Sequence, residues 1–204
     1  TLTGHTDCVN ALLLYESTNE LISSSNDGSL RLWSLTDFTL VKQFYGHTNE
    51  VDCICKIDSI HFASTGSDTS IKIWNKETAK CVYTIANAHK EWIFAIAFSS
   101  FDQLLVSTGR DYTVKLWDMK HVTCGNYLSN KACEAKYSIE SPFKKWLTAL
   151  CWFDNNEESN NTSMQKLLVG DFGGNILVID MTSGMISSTI ESAHGHLICN
   201  FAVL

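Results

Sequence analysis

The sequence predicts an all-β protein assembled from repeated four-stranded units, on three observations. First, a small residue followed by histidine recurs at Gly4-His5, Gly46-His47 and Ala88-His89, which sets successive histidines 42 residues apart. Second, each histidine is followed at a held spacing by a serine (Ser23, Ser64, Ser107), an aspartate (Asp27, Asp68, Asp111) and a tryptophan (Trp33, Trp74, Trp117). A period of this length is the mark of a repeat architecture, in which each copy is one supersecondary unit. Third, the segments between these markers are short, rich in β-branched and aromatic residues, and alternate with period two, as Ile71 and Ile73 do against Lys72.

In the second copy the strands read as 51–57, 62–67, 70–76 and 79–86, separated by turn formers such as Asp58-Ser59 and Ser67-Asp68-Thr69. The same reading places four units at 6–45, 47–87, 89–141 and 147–192, and the first strand of a further unit at 198–204. The outer strand of the third unit is expected at 135–140, after an insertion of about twelve residues around 119–132. A second insertion of about eight residues, at 155–163 in the fourth unit, reads as a solvated loop on the same rim. By strand alignment the fourth copy loses all four markers together, with Phe143 for the histidine, Val169 for the serine, Gly173 for the aspartate and Ile179 for the tryptophan. Joint loss suits a buried polar network that is either complete or absent.

Composition narrows the class of function. A chain of 204 residues with 45% hydrophobic and 18% charged residues can bury a sizeable core, and a single proline argues against a disordered tail. The net charge of −7 disfavours a general nucleic-acid surface. No apolar run reaches the length of a membrane span and no signal-peptide pattern opens the chain. The eight cysteines lack paired metal-site spacing and read as free thiols packed as small hydrophobes, so an intracellular setting, cytoplasmic or nuclear, is expected. The Asn160-Asn161-Thr162 sequon is then a chance match. No metal or cofactor site is expected. The glycine-rich run Gly170–Gly174 falls in a strand-to-strand hairpin with no helix after it, and of His194 and His196 the first fills the repeat's histidine position.

The Gly-His pair, the turn aspartate, and Trp117-Asp118 or Trp74-Asn75 at this spacing resemble the WD40 repeat; the first copy has Ser34 after Trp33. The resemblance covers essentially the whole chain. It implies a β-propeller, of which the chain holds four complete blades and the start of a fifth. Such propellers commonly close with about seven blades, and an open stack leaves bare sheet edges. With a first residue of Thr1, about three further blades are expected outside this chain.

His5, Ser23 and Asp27 are also the residue types of a nucleophilic triad. A hydrolase needs one such site, with an oxyanion hole and a strained nucleophile turn. Here the trio occurs three times, each time with a tryptophan, and the resemblance implies a structural chain from Trp to Ser to His to Asp. Catalysis is therefore not expected.

The resemblance instead implies a scaffold for protein or peptide partners, with no small-molecule substrate and nucleic acid disfavoured. Partners of such propellers commonly engage one rim, at places three and five residues past the histidine and one before the turn aspartate. Those places are Cys8, Asn10 and Asn26 in the first blade, and Glu50, Asp52 and Ser67 in the second. They are Trp92, Phe94 and Arg110 in the third, and Trp146, Thr148 and Phe172 in the fourth. Trp92, Phe94, Arg110, Trp146 and Phe172 thus form a candidate partner-binding cluster beside acidic Glu50 and Asp52. Packing of some of these rings between blades is the alternative. Two other readings compete. The run from Leu105 to Lys120 resembles a motif by which some propellers dock on a cullin–RING adaptor, with lysine where that motif carries arginine; that would make the chain part of a ubiquitin-ligase substrate receptor. A scaffold of an RNA-processing complex is the third.

Overall fold

The computed structural model describes residues 1–120, 134–154, 165–181 and 183–199. Four antiparallel four-stranded sheets form, each with its strands in sequence order. The first holds β1 (Val9–Tyr15), β2 (Glu20–Ser25), β3 (Leu30–Ser34) and β4 (Thr39–Phe44), with a 3-10 turn at Glu16–Thr18. The second holds β5 (Val51–Lys56), β6 (His61–Gly66), β7 (Ile71–Asn75) and β8 (Lys80–Ile85). The third holds β9 (Ile93–Ser99), β10 (Leu104–Gly109), β11 (Thr113–Asp118) and β12 (Ala135–Glu140). The fourth holds β13 (Leu147–Asp154), β14 (Gln165–Asp171), β15 (Ile176–Asp180) and β16 (Met185–Ile190). The expected outer strand of the third blade falls where the sequence places it. Of the first insertion only Met119 and Lys120 are described, with Met119 buried in the core, and the second lies outside the described residues. Of the expected fifth-blade strand, Ile198 and Cys199 are described and residues 200–204 are not.

Apolar side chains are buried between sheets. One layer joins Ile22, Leu30 and Phe44 of the first sheet to Ile54, Phe62 and Trp74 of the second. Phe44 stands edge-on to Phe62 there, with ring centroids 5.1 Å apart. Similar layers join the second sheet to the third and the third to the fourth. The first strands stand side by side, β1 by β5, β5 by β9 and β9 by β13, as spokes meeting at a hub. The architecture is that of propeller blades.

Each sheet repeats two irregularities. A bulge near the start of the first strand leaves one residue unpaired: Asn10, Asp52, Phe94 and Thr148. Another register shift lies between third and fourth strands, at Trp33, Trp74, Trp117 and Ile179. In every second-to-third strand turn one residue adopts left-handed φ: Gly28, Thr69, Tyr112 and Gly174. The fourth sheet keeps these features without the marker residues, so strand pairing carries them.

The polar network forms in the first three blades. In the second, the Trp74 indole N–H donates to Ser64 Oγ at 2.7 Å, leaving the hydroxyl proton for His47 Nε2 at 2.6 Å. His47 Nδ1 then donates to Asp68 at 2.8 Å. The first and third blades repeat this with distances of 2.7–2.9 Å. Burial alone would raise the Asp68 carboxyl, but hydrogen bonds from His47 and Ser70 outweigh it and hold it well below the usual range. Ser64 and Ser107 are fully buried and Ser23 nearly so, each between its tryptophan and its histidine.

The fourth blade departs from its sequence alignment in two respects. A buried carboxylate is kept, drawn from Asp171, two residues before Gly173. Asp171 is fully buried and accepts the N–H groups of Gly173 and Asn175 and the Asn175 amide. Likewise Ser141, two residues before Phe143, makes the backbone bond (to Tyr112 O) that His89 makes to Thr69 O. Loss of the markers is thus not loss of all buried polar capping. His194 N–H bonds Gly174 O, which puts His194 at the repeat's histidine position.

The six described cysteines are unpaired. Cys53 and Cys55 pack against the core and burial pushes both thiols up, whereas Cys8, Cys81 and Cys199 are exposed, contrary to uniform packing as small hydrophobes.

Candidate functional site

Antiparallel strand order brings the start of each first strand and the second-to-third strand turn to one rim. A backbone hydrogen bond ties the two together in every blade: Asn26 N–H to Cys8 O, Ser67 to Glu50, Arg110 to Trp92 and Phe172 to Trp146, at 2.8–3.0 Å. The bulge residue lies between them in sequence, at the start of the first strand. Asn10, Asp52, Phe94 and Thr148 all line a cavity of about 750 Å³ between the first strands.

In the third and fourth blades these positions meet. Trp92 and Phe94 stand edge-on at 6.4 Å, Phe94 lies 6.1 Å from Trp146, and Trp146 lies 5.1 Å from Phe172. The Arg110 guanidinium carbon sits 5.1 Å from the centroid of the Trp92 ring and 4.8 Å from that of Trp146, bridging the two blades. Trp92 is 39% exposed and Phe172 49%. Phe94, Arg110 and Trp146 are half-buried. The four rings form one contiguous run across the two blades, half-buried at Phe94 and Trp146 and exposed at Trp92 and Phe172.

The acidic second blade is self-contained. Ser67 Oγ lies 3.0 Å from Glu50 and 3.2 Å from Asp52. Burial pushes the Asp52 carboxyl up to about 6, against the Ser67 hydrogen bond and with help from the Glu50 and Asp68 charges. In the first blade Asn10 donates to Asn26 and to Val51 O. Thr148 of the fourth donates to Ile198 O at 2.8 Å. Cys8 is exposed.

Arg110 is expected in one cluster with Trp92 and Trp146, but that its guanidinium lies on both indoles is a detail sequence spacing misses, because Trp146 belongs to the next repeat. Also missed is a buried lysine on the opposite rim. Lys76 pairs with Glu20 of the first blade at 2.5 Å and lies 4.9 Å from the centroid of the Tyr15 ring. Among the described residues no group of His, Cys, Asp and Glu side chains converges as a metal set, and no helix is long and apolar enough to cross a membrane.

The profile of the WD domain, G-beta repeat family matches residues 1–34, 38–75 and 79–118, more than half of the chain. This chain belongs to that family, whose members are in general scaffolds for protein interaction. The second and third matched segments each begin with the outer strand of one blade and end in the third strand of the next, so sequence repeats overlap successive sheets. The chain is also 37% identical over 78 residues to an uncharacterized WD repeat-containing protein of Schizosaccharomyces pombe. That match covers 37% of this chain and 21% of the relative, so the chain spans only a small part of the relative's length.

Proposed function

We propose that this chain is a non-enzymatic WD-repeat scaffold that holds a protein or peptide partner on the rim of its third and fourth blades. The observation that carries this reading is the convergence of Trp92, Phe94, Trp146 and Phe172 around Arg110. Trp, Tyr and Arg dominate interface hot spots, and a rigid aromatic shelf loses little side-chain freedom on binding. The reading also extends the propeller beyond this chain, with another blade covering the outer face of the first. Leu12 is 64% exposed on that face, whereas Ile54 and Ile96, its counterparts in later repeats, are 8% and 5% exposed.

Capture of partners from lysate by wild-type and variant protein tests the reading. Trp92→Ala and Trp146→Ala are expected to weaken binding by about 2 kcal/mol or more. Lys120→Ala, on the opposite rim, is expected to leave it unchanged. Full binding by both tryptophan variants would overturn the reading. Loss in Lys120→Ala alone would put adaptor docking in its place.

A further inference from the structure

We propose that Arg110 is a carboxylate-binding fork, so that this rim takes an extended peptide through an Asp or Glu side chain flanked by apolar residues. The inference rests on the rim reading above and names the chemistry of the partner. Of the two arginines, Arg31 lies 3.8 Å from Asp27 in its own blade. The Arg110 guanidinium has no carboxylate or carbonyl partner among the described residues, although acidic residues outnumber basic ones in the chain. Its neighbours are the Trp92 and Trp146 rings. Rings against a guanidinium restrict its rotation while its N–H groups stay in the guanidinium plane, and a planar carboxylate can accept two of them in parallel. The fork is then pre-organised before a ligand arrives.

The surroundings favour a single negative charge set among apolar groups. Phe172 and Trp92 expose ring surface beside the guanidinium. Lys90 and Lys145, on the connectors that lead into Trp92 and Trp146, are exposed. Glu50 and Asp52 in the neighbouring blade oppose a polyanion. Aromatic rings with arginine would also suit single-stranded RNA, but a net charge of −7 and this acidic neighbour favour a peptide.

The test is selection of a random peptide display library on the intact protein, as wild type, Arg110→Gln, Arg110→Lys and Trp146→Ala. Wild-type pools are expected to gain Asp or Glu next to apolar residues. Replacing the selected Glu by Gln should weaken a peptide about ten-fold or more, the worth of a charge-assisted bidentate pair. In Arg110→Gln that discrimination should fall to about two-fold or less while the apolar preference persists. Arg110→Lys should lie between, and it decides the matter if the glutamine variant proves unstable in a thermal melt. Wild-type pools without acidic preference, an acidic preference unchanged in both Arg110 variants, or displacement of the peptides by an oligouridylate at equal concentration would overturn the fork. Pools unchanged in Trp146→Ala, or no enrichment at all, would remove the rim reading and the fork with it. Acid-blind pools that still need Trp146 would remove the fork alone.

Discussion

Asp68 accepts from His47 Nδ1, from the backbone N–H groups of Thr48 and Ser70, and from the Ser70 hydroxyl, at 2.8–3.1 Å. Removing it leaves several buried donors unpaired, so Asp68→Ala is expected to cost about 1–3 kcal/mol in urea denaturation. A loss within error would mean that the network contributes nothing to stability. Asp52 behaves oppositely. Its carboxyl lies at about 6 in the fold, above the roughly 3.9 of an unfolded aspartate, so its favourable contribution is complete only below the unfolded value and disappears as pH rises through 6. At neutral pH its buried charge is a burden. Asp52→Asn should therefore stabilise the protein on the order of 1 kcal/mol at pH 7.5, allowing for solvent screening, and lose that advantage near pH 4. An equal effect at both pH values would contradict this account.

In the second and third blades the entry segment is pressed against the end of the second strand. A Cβ added to Gly109 would lie 2.2 Å from Trp92 O, and one added to Gly66 would lie 1.9 Å from Glu50 O. Both neighbours are backbone atoms in connectors that carry rim residues. Ser25 and Asp171 occupy the same place in the first and fourth blades, so those connectors accommodate a side chain where the middle two do not. Gly109→Ala is expected to destabilise by about 1–3 kcal/mol and to displace Trp92 from Arg110. Denaturation together with a change in tryptophan fluorescence checks it, and a variant unaltered in both would show that the contact relaxes freely. The pairings Val51↔Gly66 and Ile93↔Gly109 lie just beyond the bulge in the second and third blades, so bulge and close approach adjoin there, whereas the first and fourth blades keep the bulge without the glycine.

Blades cohere through the layers between them, and each such contact is local. The first two are joined by the Phe44–Phe62–Trp74 layer and, on the opposite rim, by the Glu20–Lys76 pair under the Tyr15 ring. Lys42 adds hydrogen bonds to the carbonyls of Lys76 and Glu77. In a stack of repeats, stability is roughly a sum of unit and neighbour contributions. Lys76→Met removes one partner of a mostly buried ion pair and should loosen the first blade. Hydrogen exchange is expected to speed up across β1–β4 and to stay unchanged in β13–β16. A uniform increase through all four sheets would show that the propeller opens as one unit.

The repeat period, the four-strand blade and the triple polar network were legible in the sequence because each depends on residues close along the chain and recurs three times. His47, Ser64, Asp68 and Trp74 all lie in one blade, and their spacing follows from the lengths of two hairpins. The rim positions were implied by the WD40 resemblance and not by spacing, and in the fold a bulge and one backbone bond place them alike in each blade. What passes between blades was not legible. The reach of Arg110 to Trp146, the burial of Lys76 against Glu20 and the exposure of Leu12 depend on how sheets face one another, which no local spacing encodes. Asp171 escaped because a carboxylate can cap the same turn from two residues earlier, and only the folded hairpin shows which N–H groups it reaches.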